Sequence, residues 1–180
     1  MKINCIIAID PGKRGGIAIY IPGQKVKVAK MPEDLTELSD FFGYYAENYS
    51  PVIFLEKLSV RPDDVSVKGG GVEMGKLYRI QRMIGGYEQL KAIVGLSKIP
   101  YLLVHPMKWQ AKLGIRKAGM AKEDRKRMYQ KIAGELYEDV KVTLWNADAL
   151  LILHFGRWAL KNDLKWIKGN LPNGVFDKLF

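Results

Sequence analysis

The chain has 180 residues, 48% of them hydrophobic, and a formal net charge of +10 at pH 7. This length provides one domain with a well-buried core, and the hydrophobic content argues against an extended disordered protein. The positive charge indicates an anionic partner, which could be nucleic acid or a membrane surface. However, no apolar run approaches the roughly 18 residues of a membrane span, and the N-terminus lacks a long apolar signal core. We therefore expect an intracellular protein that does not act on membranes.

Three short strands are predicted at the beginning of the chain, over residues 3–9, 16–21 and 25–30. Glycine-rich and Pro-Gly turns separate them. Cys5, in the first strand, is the only cysteine, so an internal disulfide and a thiolate zinc site are excluded. We expect Cys5 to be a buried core thiol.

Helices and strands alternate in the next part of the chain. Apolar residues recur at helical spacing from Leu35 to Tyr45, and the continuous apolar run 52–56 is typical of a strand at the centre of a sheet. A long helix is predicted over about 72–97, with these apolar residues on one face: Leu77, Ile80, Ile84, Tyr87, Leu90 and Val94. Gly85-Gly86 within it is unexpected, because glycine costs about 1 kcal/mol there relative to alanine. Close backbone packing, for example at a two-fold dimer interface, would explain this pair.

The remaining elements are a strand over 101–104 and helices near 121–137 and 147–160. This order predicts an α/β fold in which a β-meander is followed by βαβ units, giving a mixed five-stranded sheet flanked by helices. We expect residues 1–160 to form this domain. Residues 161–180, which carry several glycines and a proline, are expected to be a loosely packed tail.

Three carboxylates adjoin apolar runs that are far apart in sequence. Asp10 ends the first strand, Glu56 ends the fourth, and Asp148 opens the last predicted helix. A carboxylate so close to the core is costly to desolvate unless positive charge compensates it, and Mg²⁺ prefers such oxygen ligands. The three acids therefore predict a shared cation. The alternatives are a turn residue for Asp10, a strand-end salt bridge for Glu56 and helix-dipole compensation for Asp148.

Basic residues are concentrated between positions 105 and 131. Nine of them stand there against two acids: Lys108, Lys112, Arg116, Lys117, Lys122, Arg125, Lys126, Arg127 and Lys131. A charge run of this kind is usually a solvated helix face, but its density beside the three acids favours contacts with phosphates. Lys13 and Arg14, in the turn after Asp10, could also reach phosphate or could simply be exposed. His105 and His154 are expected to be structural.

The chain resembles the RNase H-like superfamily and, within it, the RuvC family of Holliday junction resolvases, including its phage or viral branches. The resemblance covers most of residues 3–160. Its motifs are Ile9-Asp10-Pro11-Gly12, Leu55-Glu56 and Asn146-Ala147-Asp148-Ala149-Leu150, together with the basic positions Lys108 and Lys122.

The resemblance implies a dimeric endonuclease that cuts four-way DNA junctions by paired symmetric nicks. Two Mg²⁺ ions per active site, replaceable by Mn²⁺, would be held by Asp10, Glu56 and Asp148. Lys108 and Lys122 would lie near the scissile phosphate, and the other basic residues would follow the DNA backbone.

The chain departs from the family in two places. The fourth acidic residue of the family, three positions before the last aspartate, is replaced by Trp145, although Asn146 could offer an amide oxygen to a metal. Residues 57–71 contain no aromatic that could act as a wedge at a junction centre.

Three other functions are compatible with these features. One is a monomeric relative that cuts other branched DNA or RNA. Another is a non-catalytic junction-binding protein. The third is an actin-like or sugar-kinase ATPase, against which the basic charge, the short chain and the lack of a second glycine-rich phosphate loop all argue.

Overall fold

The structure is a computed structural model that describes residues 3–12, 14–60, 73–116, 119–172 and 174–179. Its strands are β1 (Cys5–Asp10), β2 (Gly16–Tyr20), β3 (Lys27–Lys30), β4 (Pro51–Glu56) and β5 (Tyr101–Val104). Its helices are α1 (Leu35–Asn48), α2 (Met74–Leu96), α3 (Pro106–Lys112), α4 (Lys122–Leu136), α5 (Ala147–Asn162), α6 (Leu164–Asn170) and α7 (Phe176–Leu179). The sequence predicted the strands and the four longer helices to within a few residues, and it missed the short helices α3, α6 and α7.

The strands of the described residues form one mixed sheet in the order β3-β2-β1-β4-β5. β1 lies at the centre, antiparallel to β2 and parallel to β4, and β5 continues in parallel with β4. A strand covered on both faces needs apolar residues at every position, which explains the uninterrupted runs of β1 and β4. The predicted α/β fold with a mixed five-stranded sheet is confirmed.

Each face of the sheet packs against a different set of helices. Successive strand residues point to opposite faces. Cys5, Ile7 and Ile9 of β1 accordingly face the layer of α1 and α2. Ala8, with Phe54 of β4, faces the other layer, which is built from α3 to α7.

Helix α5 is the central helix of that second layer, and every residue from Ala147 to Leu153 is buried. Glycine at position 156 permits its close approach to the sheet, because an added Cβ would lie 2.8 Å from the Phe54 ring. The backbone of α5 therefore rests almost directly on β4, and this packing fixes the position of its first turn.

Helix α2 is buried over only part of its length. Tyr87, Leu90 and Val94 pack into the core, whereas Ile84 is 40% exposed. Added Cβ atoms at Gly85 and Gly86 would meet nothing within 4 Å among the described residues, so the predicted close packing of this pair is not seen there and stays a prediction for a dimer interface. The predicted apolar face thus contacts the core only in its C-terminal half.

The C-terminal residues are packed against the domain. Ile167 of α6, Leu171 and Leu179 of α7 are buried in the core beside α5. Trp166 stacks on Phe54 with ring centroids 6.5 Å apart. The expectation of a loosely packed tail is wrong. The glycines and proline of this segment suggested loose packing, but its apolar side chains are buried against the domain.

Several smaller expectations can be compared with the structure. Cys5 is fully buried, as predicted, and burial raises the pKa of its thiol to about 12. His105 caps α3, where its Nδ1 accepts a hydrogen bond from the Met107 backbone N–H at 3.2 Å. In the described ranges, no helix has the length and apolarity required to cross a membrane.

Candidate metal centre

Asp10 and Glu56 are brought side by side by the pairing of β1 and β4. In this parallel register Ile9 lies opposite Leu55, so the next residue on each strand is one of the two acids. Both acids share the strand face of Ala8 and Phe54, which is the face covered by α5. Two carboxylates thus end adjacent strands on the same side of the sheet.

The turn after Asp10 requires glycine for steric reasons. A Cβ at Gly15 would collide with the backbone carbonyl oxygen of Asp10, and the Gly15 N–H donates to the Gly12 carbonyl at 2.9 Å. A Cβ at Gly16, which pairs with Asp10, would lie 2.9 Å from the Trp145 ring. Trp145 therefore packs directly on the strand residue beside Asp10, and the loop that begins α5 lies next to this end of the sheet.

Asp148 lies in the first turn of α5 and is 8% exposed. Its Oδ2 accepts a hydrogen bond from the Lys126 ammonium of α4 at 2.5 Å. Its Oδ1 is buried and has no hydrogen-bond partner among the described residues. One carboxylate oxygen is thus paired with a cation and the other is left without a donor.

We call these three carboxylates the acidic centre. Burial, then repulsion from Asp148, raises the pKa of Asp10 to about 6, although Lys126 opposes the shift. Burial, then repulsion from Asp10, raises the pKa of Glu56 to about 8. Such shifts arise when negative charges are crowded away from water. Repulsion among the three acids thus contributes to the raised pKa values of Asp10 and Glu56.

Trp109 is a contact of the acidic centre that sequence reasoning missed. This residue of α3 is fully buried, and its indole N–H donates to Glu56 Oε1 at 2.9 Å. The hydrogen bond favours the ionised carboxylate and so lowers the pKa of Glu56 against the effect of burial. The one available signal was a tryptophan just after a core strand, since a buried indole N–H usually requires an acceptor.

Among the residues that the structure describes, Lys126 is the basic residue that reaches the acidic centre. Burial alone would lower the pKa of its ammonium, but attraction by Asp148, and more weakly by Asp10 and Glu56, outweighs burial and raises this pKa. The sequence assigned Lys126 to the DNA backbone and favoured Lys122 near the reacting phosphate. Lys122 begins α4 one turn earlier and is exposed.

Lys108 and Lys112 extend toward α5 and α6. The Lys108 ammonium lies 3.4 Å from Asp163 Oδ2 and 4.6 Å from the centre of the Trp166 ring. The Lys112 ammonium lies 3.9 Å from the centre of the Trp158 ring. These contacts hold α3 against the C-terminal helices, so both lysines already have structural partners.

The other predicted DNA-contacting residues have varied surroundings. Arg14 and Arg116 are exposed, and Arg125 is partly buried on α4. Lys13 and Lys117 lie outside the described residues, as does most of the segment 57–71 in which the wedge aromatic is missing.

Asn146 has a structural role in the loop before α5. It is fully buried, its Oδ1 accepts from the Thr143 backbone N–H at 2.8 Å, and its Nδ2 donates to the Lys141 carbonyl at 3.1 Å. Both ends of the amide are used to shape the loop. We therefore do not retain Asn146 as a metal ligand.

The chemistry of the acidic centre suits a hard divalent cation. Within the described residues, no three His, Cys, Asp or Glu side chains are arranged so that together they could hold a metal ion. The donors are nevertheless all carboxylate oxygens, which Mg²⁺ and Mn²⁺ prefer. The unpartnered Oδ1 of Asp148 and the raised pKa values of Asp10 and Glu56 are features that a nearby cation would compensate.

Comparison with known proteins identifies the fold. No protein-family model and no curated protein sequence matches the chain. A solved structure of Thermus thermophilus RuvC in complex with a Holliday junction substrate is 16% identical, with 88% of this chain and 96% of that chain covered at a TM-score of 0.50. A second Thermus thermophilus RuvC structure is 14% identical, with 93% and 98% covered at a TM-score of 0.48. The first of these matches confirms the sequence resemblance at the level of architecture: the chain has a RuvC-like fold of the RNase H-like class.

Proposed function

We propose that the chain is a magnesium-dependent endonuclease that resolves four-way DNA junctions by paired, symmetric nicks. The observation that carries the proposal is the convergence of Asp10, Glu56 and Asp148 at one end of a RuvC-like sheet. The Thermus neighbour was solved with a Holliday junction, which supports this choice of substrate. Such a substrate implies an intracellular site of action.

The residues of the acidic centre are suited to phosphodiester hydrolysis. Divalent metal held by Asp10, Glu56 and Asp148 would, when bound, supply activation of an attacking water and stabilisation of the leaving 3′ oxygen. Trp109 keeps one oxygen of Glu56 oriented by donating its N–H. Lys126 presents positive charge beside Asp148, where the anionic phosphate of a substrate would otherwise be repelled by the carboxylates.

DNA binding is supported by the charge of the chain and of its surface. The net charge of +10 favours polyanions, and Arg14, Arg116 and Lys122 are exposed. Contacts of this type neutralise phosphates without reading sequence. We expect a strong decrease in affinity with added salt and no dependence of affinity on the sequence of the arms.

A homodimer would place two such centres on opposed strands, and α2 offers a surface for it. Met83 and Ile84 are 42% and 40% exposed in its N-terminal half, where they continue the face that Tyr87 and Leu90 bury in the C-terminal half. Solvent-exposed apolar side chains on one helix are typical of a surface that a partner covers. If two copies of the chain pack about a two-fold axis, the α2 helix of each copy would cover the exposed apolar residues of the other.

The dimer is tested by measuring mass in solution with light scattering. Ile84→Glu, which puts a charge into this surface, is expected to shift the chain from dimer to monomer. Leu136→Glu is the matched control, because Leu136 is 39% exposed on α4 and should leave the mass unchanged. A monomeric wild-type chain at the concentration that cuts junctions would refute the dimer.

Cleavage tests the function directly. A labelled four-way junction, a linear duplex and a flap are incubated with Mg²⁺, with Mn²⁺ or with EDTA. We expect paired symmetric nicks in the junction alone, dependent on the metal and lost in Asp10→Asn. Asp40→Asn makes the same change at an exposed position of α1 and should cut normally.

The other results would identify other functions. Equal cutting of flap, duplex and junction would retain the nuclease chemistry and refute junction selectivity. Tight junction binding without cutting under either metal would indicate a non-catalytic binding protein.

A further inference from the structure

Lys126 places a positive charge within the acidic centre. Its ammonium is 2.5 Å from Asp148 Oδ2, and it is attracted to Asp10 and Glu56 as well. The exposed fraction of the Asp148 side chain is 11%, and that of Lys126 is 35%. The pair is therefore more shielded from water than the exposed salt bridges of the helix surfaces, such as Lys131 with Glu135.

When all three acids are ionised, as metal ligands must be, charge balance favours a single divalent ion. The ionised acidic centre carries three negative charges, and the ammonium of Lys126 offsets one of them. A divalent ion offsets the other two, whereas a second divalent ion would leave excess positive charge in a partly buried site. Uncompensated charge in such a place is costly.

The ligands near Asp148 lead to the same conclusion. Trp145, three residues earlier, has no oxygen in its side chain and packs on Gly16. Asn146 has its amide oxygen engaged by Thr143. The two oxygens of Asp148 have different surroundings. Oδ2 accepts a hydrogen bond from Lys126, and the buried Oδ1 has no hydrogen-bond partner among the described residues. Within the described part of the chain, one oxygen of Asp148 is thus left to accept one ion.

We propose that Lys126 is a resident cation of the acidic centre, so that the centre binds one divalent ion and the ammonium takes the place of a second. This inference rests on the proposed function, because it assumes that the acidic centre binds metal. The ammonium acts by charge alone: it stabilises negative charge on the substrate phosphate, and no covalent bond to it forms or breaks.

The test counts bound Mn²⁺ in the DNA-free protein, using the electron paramagnetic resonance signal of the unbound ion. Wild type is expected to bind one Mn²⁺ per chain. Lys126→Met removes the competing positive charge and is expected to bind Mn²⁺ about tenfold more tightly, or to bind two ions. In EDTA this variant should melt below wild type, and Mn²⁺ should raise its melting temperature by more than that of wild type.

Cleavage rates distinguish a lysine that the reaction needs from a latch, that is, a lysine that blocks the acids and must move away before cleavage. If the ammonium is needed in the reaction, Lys126→Met loses cleavage by about a hundredfold or more even though it binds metal more tightly. Lys126→Arg keeps the charge and should retain the wild-type count of one ion. Lys131→Met is the matched control on the same helix, exposed and remote from the acids, and should behave as wild type.

The opposing outcomes are distinct. Two Mn²⁺ ions in wild type would overturn the inference and leave the proposed nuclease intact. Unchanged Mn²⁺ affinity together with unchanged count in Lys126→Met would also overturn it, as would faster cleavage, which would identify the lysine as a latch. No Mn²⁺ bound to wild type would overturn the metal centre itself, and with it the proposed function. Should Lys126→Met not fold, the wild-type and Lys126→Arg counts still decide the question.

Discussion

The three carboxylates of the acidic centre differ in what each one contacts. Asp148 has an ammonium at one oxygen, Glu56 has the indole N–H of Trp109, and Asp10 has its nearest compensation in the charge of Lys126. A charged partner stabilises a carboxylate more than a neutral donor does. Burial is nevertheless the largest cause of both raised pKa values, about 8 for Glu56 and about 6 for Asp10, and these partners only oppose it.

Removing the donor at Glu56 should change the pH dependence of cleavage. Trp109→Phe keeps an aromatic ring in the core but loses the N–H, so the pKa of Glu56 should rise further. A hydrogen bond to a charged group contributes about 1.5–3 kcal/mol, so we expect roughly tenfold or more slower cleavage near pH 7. The rates of variant and wild type should approach each other at higher pH, as measured by initial nicking rates between pH 6 and 9.

Tyr129→Phe is the control for this prediction. Tyr129 contacts the Trp109 ring at a centroid distance of 5.4 Å, and its buried hydroxyl has no hydrogen-bond partner among the described residues. Its removal leaves the Glu56 donor in place, so the pH profile should stay that of wild type. A Trp109→Phe profile that falls equally at every pH would show that the N–H does not act through Glu56.

The raised pKa values also predict how the stability of the metal-free protein depends on pH. Folding raises the pKa of Asp10 from 3.8 to about 6 and that of Glu56 from 4.5 to about 8. The folded state thus favours the protonated acids. Their contribution to the free energy of unfolding is complete below pH 4 and is lost as pH rises toward 8, by up to about 1.4 kcal/mol per pH unit for each group.

Glu56→Gln should weaken this loss, because glutamine stays neutral across the range. In urea denaturation with EDTA between pH 5 and pH 8, the variant should lose less stability than wild type. Glu37→Gln, at an exposed position in the first turn of α1, is the control and should follow the wild-type curve. Parallel curves for Glu56→Gln and wild type would contradict the prediction.

Sequence could identify the acids but not their partners. Asp10, Glu56 and Asp148 were recognisable because each adjoins an apolar run, and that is a local pattern. Lys126 and Trp109 reach the acids only through the packing of α4 and α3, which no local pattern encodes. The nine basic residues between positions 105 and 131 also gave no means of choosing Lys126 as a lysine that contacts the acids.

At the scale of elements, long and strongly patterned segments were predictable and short ones were not. β1 and β4 are continuous apolar runs, and α5 has a similar apolar character, so these elements and their order were clear from the sequence. α3 and α6 have seven residues each, too few for a helical period to stand out. They form because residues outside each helix cap its ends and bury one of its faces. Asp163, for example, caps α6 by accepting a hydrogen bond from the Trp166 backbone N–H at 3.2 Å.

The close packing of α5 on β4 leads to a prediction about stability. In Gly156→Ala the new methyl group would lie about 2.8 Å from the Phe54 ring, which must shift within a filled core. Overpacking of this kind costs about 1–3 kcal/mol. Thermal or urea unfolding should therefore show Gly156→Ala to be less stable than wild type, although alanine is the better helix former.

Gly134→Ala, on α4, is the matched control. An added Cβ at Gly134 would meet nothing within 4 Å among the described residues. Helix propensity alone should make this variant equal to wild type or slightly more stable. If Gly156→Ala behaved in the same way, α5 would have to lie farther from β4 than the structure indicates.

For the whole molecule, the notable feature is that both ends of the chain contribute to one core. β1 supplies the central strand, and α6 and α7 close the second helical layer over Phe54 and Phe155. Lys108 and Lys112, at the start of the basic segment, lie against Trp166 and Trp158 of the same layer. The C-terminal residues therefore support the helix that carries Trp109, and through it the orientation of Glu56.

This arrangement predicts that α6 is needed for stability and for the acidic centre. Ile167→Ala removes a fully buried side chain and should lower the free energy of unfolding by about 2–5 kcal/mol. Lys165→Ala, at an exposed position of the same helix, should leave it within about 0.5 kcal/mol of wild type. Urea unfolding measures both values. If Ile167→Ala were as stable as Lys165→Ala, residues 161–180 would be the loosely attached tail that their composition suggested; a large loss instead requires that they fold as part of the domain.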